Sequence, residues 1–529
     1  MKSRLRTVCL LLGAMLLLAY SPLPAAVAAD SRVDVILWFD AEDYLLPADD
    51  DATKRLAEML TERGIRATFK LVGEKARVLE RRKRTDVLAA LRKHAIGYHT
   101  DFHSVHPTPT EYLAECGLLD GMAEFIRREA GGAVDVRRIL GVPGLACYGQ
   151  PGSSWGAQAM ASLGQIGIAP SGVPCYVDDG DHVGWGEQPF WYVGALTVYS
   201  MGPNVTRMEL HDPAALEPAK ARVAAIADRL RSQPDGGLIS IYYHPCEWVH
   251  QQFWDGVNFS RGANPPREQW RPPPQRPAAE TEAAFERFAA YIDHIRALPS
   301  VRFVTASELP GIYPDAVRHQ GLSAEDLGQV ADAVLHGATN GIDVRVLGDR
   351  ALSVADQFEL LSRAVGQMMG GKPVRFPLIA RGLLGPDAAP PEPRALKDLS
   401  WTAFRDAARD AQGFIDRNRR VPARVFIGAT AVPPADFLVA LAAAYSHQAG
   451  HGQFPTNTGV LLGHGVKVLP ASHIAEDTPG LFGGWIIHKE GFRAPKVLEV
   501  ARLQAWTLKP AVRTLMPLAP EPGLTKPAP

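Results

Sequence analysis

The stretch 33–39, Val-Asp-Val-Ile-Leu-Trp-Phe, alternates and then runs apolar, and it closes on three acids, Asp40, Glu42 and Asp43. A segment of this length and composition reads as a buried strand. Ligands gather at the carboxyl ends of strands in α/β folds, so the acids fall where chemistry is expected. The following residues keep the rhythm: helical spacing through Leu56, Ala57 and Leu60, a strand over 67–71, a helix near 87–91, a strand over 238–243, a helix over 283–298 and a strand over 301–305. Alternation of this kind predicts an α/β fold with a parallel sheet or barrel.

Three further segments carry chemistry. In Gly-Tyr-His-Thr-Asp-Phe-His, residues 97–103, His99 and His103 stand four apart. Histidines at that spacing share one face of a helical turn and can converge on one cation, with a carboxylate as third ligand and a fourth position left to water. Taken alone, the pair is as well explained by two hydrogen-bonded core or surface histidines, and the acids by a solvated strand end. Residues 148–156, Tyr-Gly-Gln-Pro-Gly-Ser-Ser-Trp-Gly, form a glycine and proline turn feeding a helix, and the strand 238–243 ends in His244-Pro245.

In order and spacing these segments resemble the polysaccharide deacetylases, the NodB-homology or family four carbohydrate esterases, over about residues 31–313. The resemblance implies a distorted (β/α) barrel, one divalent metal, commonly zinc, and removal of N- or O-acetyl groups from a carbohydrate polymer. It implies Asp40 as general base, His99 and His103 as metal ligands and His244 as catalytic acid. Where the family has adjacent aspartates, Ala41 follows Asp40 here, which moves the metal carboxylate to Glu42, with Asp43 as the fallback. Gly152 is expected to offer its backbone N–H to the tetrahedral oxyanion, because a residue without a side chain lets substrate approach closely. The family also pairs the catalytic aspartate with an arginine at the place where this chain has Gly149, and Arg137 or Arg138 are the candidates for that charge. Two other readings stay open: a catalytically silent sugar-binding homologue, and a metal-dependent amidase acting on a small non-sugar substrate.

Lys2, Arg4 and Arg6 precede an apolar run over 8–19, which is shorter than the roughly 20 residues that span a bilayer, and small residues follow to Ala28. This predicts a signal peptide over 1–29, a secreted or periplasmic protein and no stable membrane insertion. The divisions that follow are a deacetylase-like catalytic unit over 30–315, a mainly helical unit over 316–515 and a disordered tail over 516–529. Basic residues (56) balance acidic ones (57), so bulk charge makes no case for nucleic acid or an anionic surface. Cys116, Cys147, Cys175 and Cys246 are either disulfide partners or buried thiols. Residues 250–277, rich in proline and aromatics, are too long for an ordinary connection and predict a lid, in which Phe253 and Trp254, with nearby Trp248, either stack on sugar rings or pack. Asp178, Asp179 and Asp181 read as a polar turn, and His106 as structural or as support for a metal ligand. In the helical unit, 344–358 resembles 423–437, a weak internal duplication. The second copy, 414–441, resembles the pseudomurein-binding repeats of cell-wall proteins, which implies a hold on a wall or matrix polymer.

Overall fold

Strand β1 (Val33–Ala41) is buried along its whole length, as a near-continuous apolar run demands of a central parallel strand. The computed structural model describes residues 32–514 except 170, 171, 395 and 397, so the expected leader 1–29 and tail 516–529 lie outside the described residues. The strands after β1 are β2 (Thr68–Leu71), β3 (Ala95–Tyr98), β4 (Cys175–Val177), β5 (Phe190–Tyr192), β6 (Ala195–Val198), β7 (Gly237–Tyr243) and β8 (Val301–Val304). Parallel pairing runs β3-β2-β1-β7, and β8 takes the first half of the β1 edge whose second half pairs with β2. Past β3 the sheet goes on through single bridges, Tyr98 to Tyr148 and Tyr148 to Tyr176, into β4, β6 and β5, and past β7 through one bridge, Ser240 to Val205. The α/β class and parallel sheet match the sequence reading. Among the described residues, however, ladder pairing does not run unbroken round a closed ring.

Register decides what meets at the carboxyl ends. Asp40 lies beside Lys70, and Lys70 beside Gly97. Phe39 lies beside Tyr243, so His244 emerges next to Asp40, and His99 follows Tyr98 at the end of β3. Helices such as Pro47–Glu62, Leu118–Leu140 and Ala278–Ala297 cover the sheet and share one core with its inward side chains. Leu118–Leu140 stops at Gly141, whose φ of 65° is the left-handed cap that glycine adopts without a Cβ clash.

A second core lies within residues 317–468, with Trp506. There the order helix, tight hairpin, helix occurs twice: Ala324–Asn340, Arg345–Leu347 with Arg350–Leu352, Val354–Met369, and then Trp401–Asn418, Val425–Ile427 with Thr430–Val432, Pro434–His451. Each hairpin turns on a glycine at positive φ, Gly348 at 64° and Gly428 at 59°, as two-residue turns require. The chain then rejoins the first core: Ile474, Leu481, Phe482, Val497, Leu498 and Leu508 are buried in it, and Lys509–Pro510 pairs with β5. Residues 250–277 are not irregular throughout. They hold the short helix Trp254–Phe259, and a bridge from His250 to Gln275 draws their ends together. Cys116, Cys147, Cys175 and Cys246 are free thiols. Among the described residues, no helix is long and apolar enough to cross a membrane.

Candidate metal centre

Side chains alternate along a strand, so Asp40 and Glu42 at the end of β1 point to one side and Asp43 to the other. Asp43 Oδ2 lies 2.9 Å from His250 Nδ1, its Oδ1 accepts from Leu45 N–H at 2.8 Å, and it faces away from the histidine pair. Glu42, and not Asp43, is the carboxylate that meets the imidazoles. Glu42 Oε2 is 3.0 Å from His103 Nε2 and 3.5 Å from His99 Nε2. Two ligands each about 2.1 Å from a tetrahedral zinc are roughly 3.4 Å apart, so the spacing suits one ion. The remaining ring nitrogens are engaged elsewhere: His99 Nδ1 with Gly149 O at 3.1 Å, His103 Nδ1 with Ser104 Oγ at 2.6 Å, which in turn donates to Asp255 at 3.0 Å. Those partners take Nδ1 of each ring and leave Nε2 of both turned to Glu42, the arrangement a cation would need. His103 Nε2 is also buried without a hydrogen-bond donor or acceptor of its own, the condition of an atom shaped for a cation.

The two histidines do not sit on a helix, contrary to the expectation from their spacing. They flank a tight loop in which Thr100 (φ 64°) and His103 (φ 58°) adopt left-handed backbone, and the loop turns the second ring back onto the first, 4.9 Å between centroids. Thr100 Oγ1 accepts from His103 N–H at 3.1 Å and holds the turn.

Asp40 is buried beside a cation, Lys70, whose pairing no motif announced. Lys70 Nζ, itself fully buried, lies 3.0 Å from Asp40 Oδ1 and 2.9 Å from Asp178 Oδ2, donates to Val177 O at 2.9 Å and rides over the Trp38 ring at 4.0 Å. Burial works against its charge, but Asp178 and Asp40 outweigh that and hold the lysine above its ordinary value. The side chain runs past two glycines. A Cβ at Gly97 would come within 2.9 Å of Lys70 Cγ, and one at Gly149 within 2.0 Å of Nζ. Lys70 thus fills the space over Gly149 and sets beside Asp40 the cation for which Arg137 and Arg138 were the candidates. Arg138 instead pairs with Glu80 at the surface, and Arg137 donates to Pro143 O. Asp178, read from the sequence as part of a polar turn, is a buried partner in this row. Asp40, His99 and Asp178 could also be counted as a cation-binding trio, but the Lys70 ammonium already stands between its two carboxylates.

His244 closes the other side. Its Nε2 is 3.8 Å from Asp40 Oδ2 and 4.0 Å from Glu42 Oε2, and its Nδ1 is 2.7 Å from Glu247 Oε1, which Arg207 pairs in turn. Burial opposes charge on this ring, yet Glu42, Glu247 and Asp40 prevail and push it up to about 10. Glu42 moves the opposite way: burial raises it, while the charges of His103 and His244 and the two imidazole nitrogens facing its Oε2 carry it well below the usual carboxylate range. Glu247 falls to about 2 by the same contest, burial against its bond to His244.

These groups line one cavity of about 480 Å³ with Gln150, Gly152, Asp179, Phe253, Asp255, Trp485 and Ile486. Lid residues thus reach the site as expected, but Trp248 and Trp254 are fully buried and pack, leaving Phe253 at the mouth. His106 bonds Glu111 at 2.7 Å and stands outside the Glu42, His99 and His103 group. A larger cleft, about 900 Å³, opens at the opposite end of β7 and gathers no metal-ligating trio among the described residues. Lys70 was detectable as the charged residue in an otherwise uncharged strand, Ala-Thr-Phe-Lys-Leu, and Glu247 by its position one turn after His244. Asp255 and Trp485 left no local signal.

No protein-family model and no curated protein matches the chain. Solved structures do. A Mycobacterium smegmatis protein described as a polysaccharide deacetylase is similar at 15% identity and TM-score 0.34, over 54% of this chain and 92% of that one. The Xyl-CE4 domain of a multidomain xylanase from the hindgut metagenome of Trinervitermes trinervoides is similar at 11% identity and TM-score 0.30, over 54% and 93%. A family 4 carbohydrate esterase from Streptomyces lividans, in complex with acetate, is similar at 15% identity and TM-score 0.26, over 52% and 92%.

Proposed function

We propose that this chain is a secreted, divalent-metal-dependent hydrolase that removes N- or O-acetyl groups from a carbohydrate polymer, built on a sheet curled into a distorted (β/α) barrel over 30–315. The observation that carries the reading is the convergence of Glu42, His99 and His103 on one point, with Asp40 and His244 beside it in one cavity. Zinc held by Glu42 Oε2 and the two Nε2 atoms would polarise the acetyl carbonyl and acidify the attacking water.

The chain's own groups divide the remaining work. Lys70 fixes Asp40 Oδ1, so Oδ2 is the oxygen turned to the cavity and to His244, and it takes the proton of the attacking water. His244 carries a proton at neutral pH and faces the site with Nε2, because Glu247 holds Nδ1. A bound dication reduces the share of that proton affinity that comes from Glu42 and leaves the share from Glu247. As the tetrahedral adduct collapses and the C–N or C–O bond breaks, His244 passes the proton to the departing amine or alkoxide. Gly152 lines the cavity, and although the Trp485 indole and not the substrate takes the space left by its missing side chain, we assign its backbone N–H to the oxyanion. The two helix–hairpin–helix units are, in this reading, an internal duplication that holds the enzyme on its polymer.

The test is acetate release from acetylated oligosaccharides by the zinc- or cobalt-loaded protein and by Asp40→Asn. Loss of a general base is worth about 10²–10⁴-fold, and the variant is expected to fall by that much. Equal release by both proteins would overturn the role of Asp40.

A further inference from the structure

Residues 482–488 return over the cavity and are fastened at three separate loops. Ser153 Oγ donates to Phe482 O at 3.0 Å, beside Gly152. His488 Nε2 lies 3.0 Å from Thr108 Oγ1, in the segment after His103, and its Nδ1 lies 2.7 Å from Phe482 O. From the lid, Arg261 and Gly262 N–H donate to Ile486 O and Ile487 O, each at 2.8 Å. One short segment thus joins the turn carrying Gly152, the histidine loop and the lid.

The fastening sets Trp485 into the cavity wall. Its indole stands edge-on to His103, 5.9 Å between centroids, and fills the space above Gly152, where a Cβ would come within 2.3 Å of the ring. Neighbouring Tyr44, Trp254 and Phe259 are buried and serve packing, but Trp485 is only partly covered. Ile486 beside it is 58% exposed and Phe253 on the lid 38% exposed, and all three line the same cavity. Large apolar side chains left open around a few convergent polar groups are the make-up of a ligand wall.

We propose that Trp485 and Ile486 are specificity-determining residues that receive the apolar C–H face of the sugar ring bearing the acetyl group. The carboxyl-terminal part of the chain then selects the substrate of a site whose catalytic groups come from the first part. This rests on the deacetylase reading and adds the surface that holds the ring.

The experiment uses zinc-loaded full-length protein, Trp485→Ala, Trp485→Phe and an acetylated oligosaccharide. Trp485→Ala is expected to raise KM about tenfold with kcat changed less than about threefold, and Trp485→Phe to recover most of the loss. An unchanged KM, or a fall in kcat alone, would overturn the wall. Calorimetric binding of the same oligosaccharide to Asp40→Asn, with and without Trp485→Ala, reads the wall without turnover. A loss of about tenfold is expected, and no loss, or no binding by Asp40→Asn, overturns it. Binding that depends on Trp485 in a protein that never releases acetate would instead overturn the deacetylase reading and leave the wall standing.

Discussion

At position 149 the chain has glycine, and the ammonium of Lys70 takes the space a side chain would fill. An arginine placed there would meet Lys70 Nζ and Asp178 Oδ2 before leaving its own Cβ, so Gly149→Arg alone is expected to lower both melting temperature and acetate release. Lys70→Ala alone strands two buried carboxylates, a loss of about 3–5 kcal/mol for a broken buried pair. Together the two changes exchange one cation for another, and the double variant is expected to recover at least about tenfold of the activity lost in Lys70→Ala. Losses that merely add would contradict the exchange, because neighbours that share a partner do not behave additively. The segments carrying Asp40, His99, His103 and His244 were legible in the sequence because each lies in a short motif, and together they resembled a known family, whereas the choice between Glu42 and Asp43 stayed open there and is made by the strand-end geometry. Lys70 stood out as a lone charge in an otherwise uncharged strand, but its pairing with Asp40 and Asp178 did not, since that is set by sheet register and by the absence of two side chains, at Gly97 and Gly149.

Among elements, β2 and β3 are locked to the helix Pro47–Glu62 by a neutral histidine. His94 Nδ1 accepts from Ala67 N–H at 3.2 Å and its Nε2 donates to Ala57 O at 2.8 Å, so a second ring proton would break the first bond. Burial, the main cause, lowers this imidazole to about 4. The unfolded chain takes up the proton first, so the stability His94 lends is fully present above about pH 6.5 and is lost as pH falls from there through about 4. The amount is about 3 kcal/mol. Gln can accept from Ala67 and donate to Ala57 without titrating. Denaturant midpoints of His94→Gln should therefore fall less than those of the wild type between pH 7 and 4, and parallel falls would contradict this assignment. The alternating strands and helices were legible because periodicity shows which face is buried. The histidine loop was not, because a spacing of four suits a helical turn and a left-handed loop equally, and the turn is held by a Thr100 hydroxyl bond.

Across the molecule, two cores are crossed by one chain that leaves the first and comes back. Composition changes near residue 315, but the apolar residues from Ile474 onward carry no mark of which core they join; packing between residues 108–153 and 482–488 is a long-range contact that no pattern in either segment announces. The return joins the histidine loop, the lid and the carboxyl-terminal segment by hydrogen bonds around the site, so occupancy by an ion is expected to stabilise the whole fold. A ligand at one hundred times its dissociation constant adds about 2.7 kcal/mol, and zinc should raise the melting temperature of the wild type accordingly. The most direct measurement is the zinc content of the purified protein beside Glu42→Gln, His99→Ala, His103→Ala and Asp43→Asn, read together with that rise. One ion per chain, lost with its thermal effect in the first three variants and kept in Asp43→Asn, is the expected result. No bound ion in the wild type, or an ion that survives loss of Glu42 and leaves with Asp43, would contradict the centre described above.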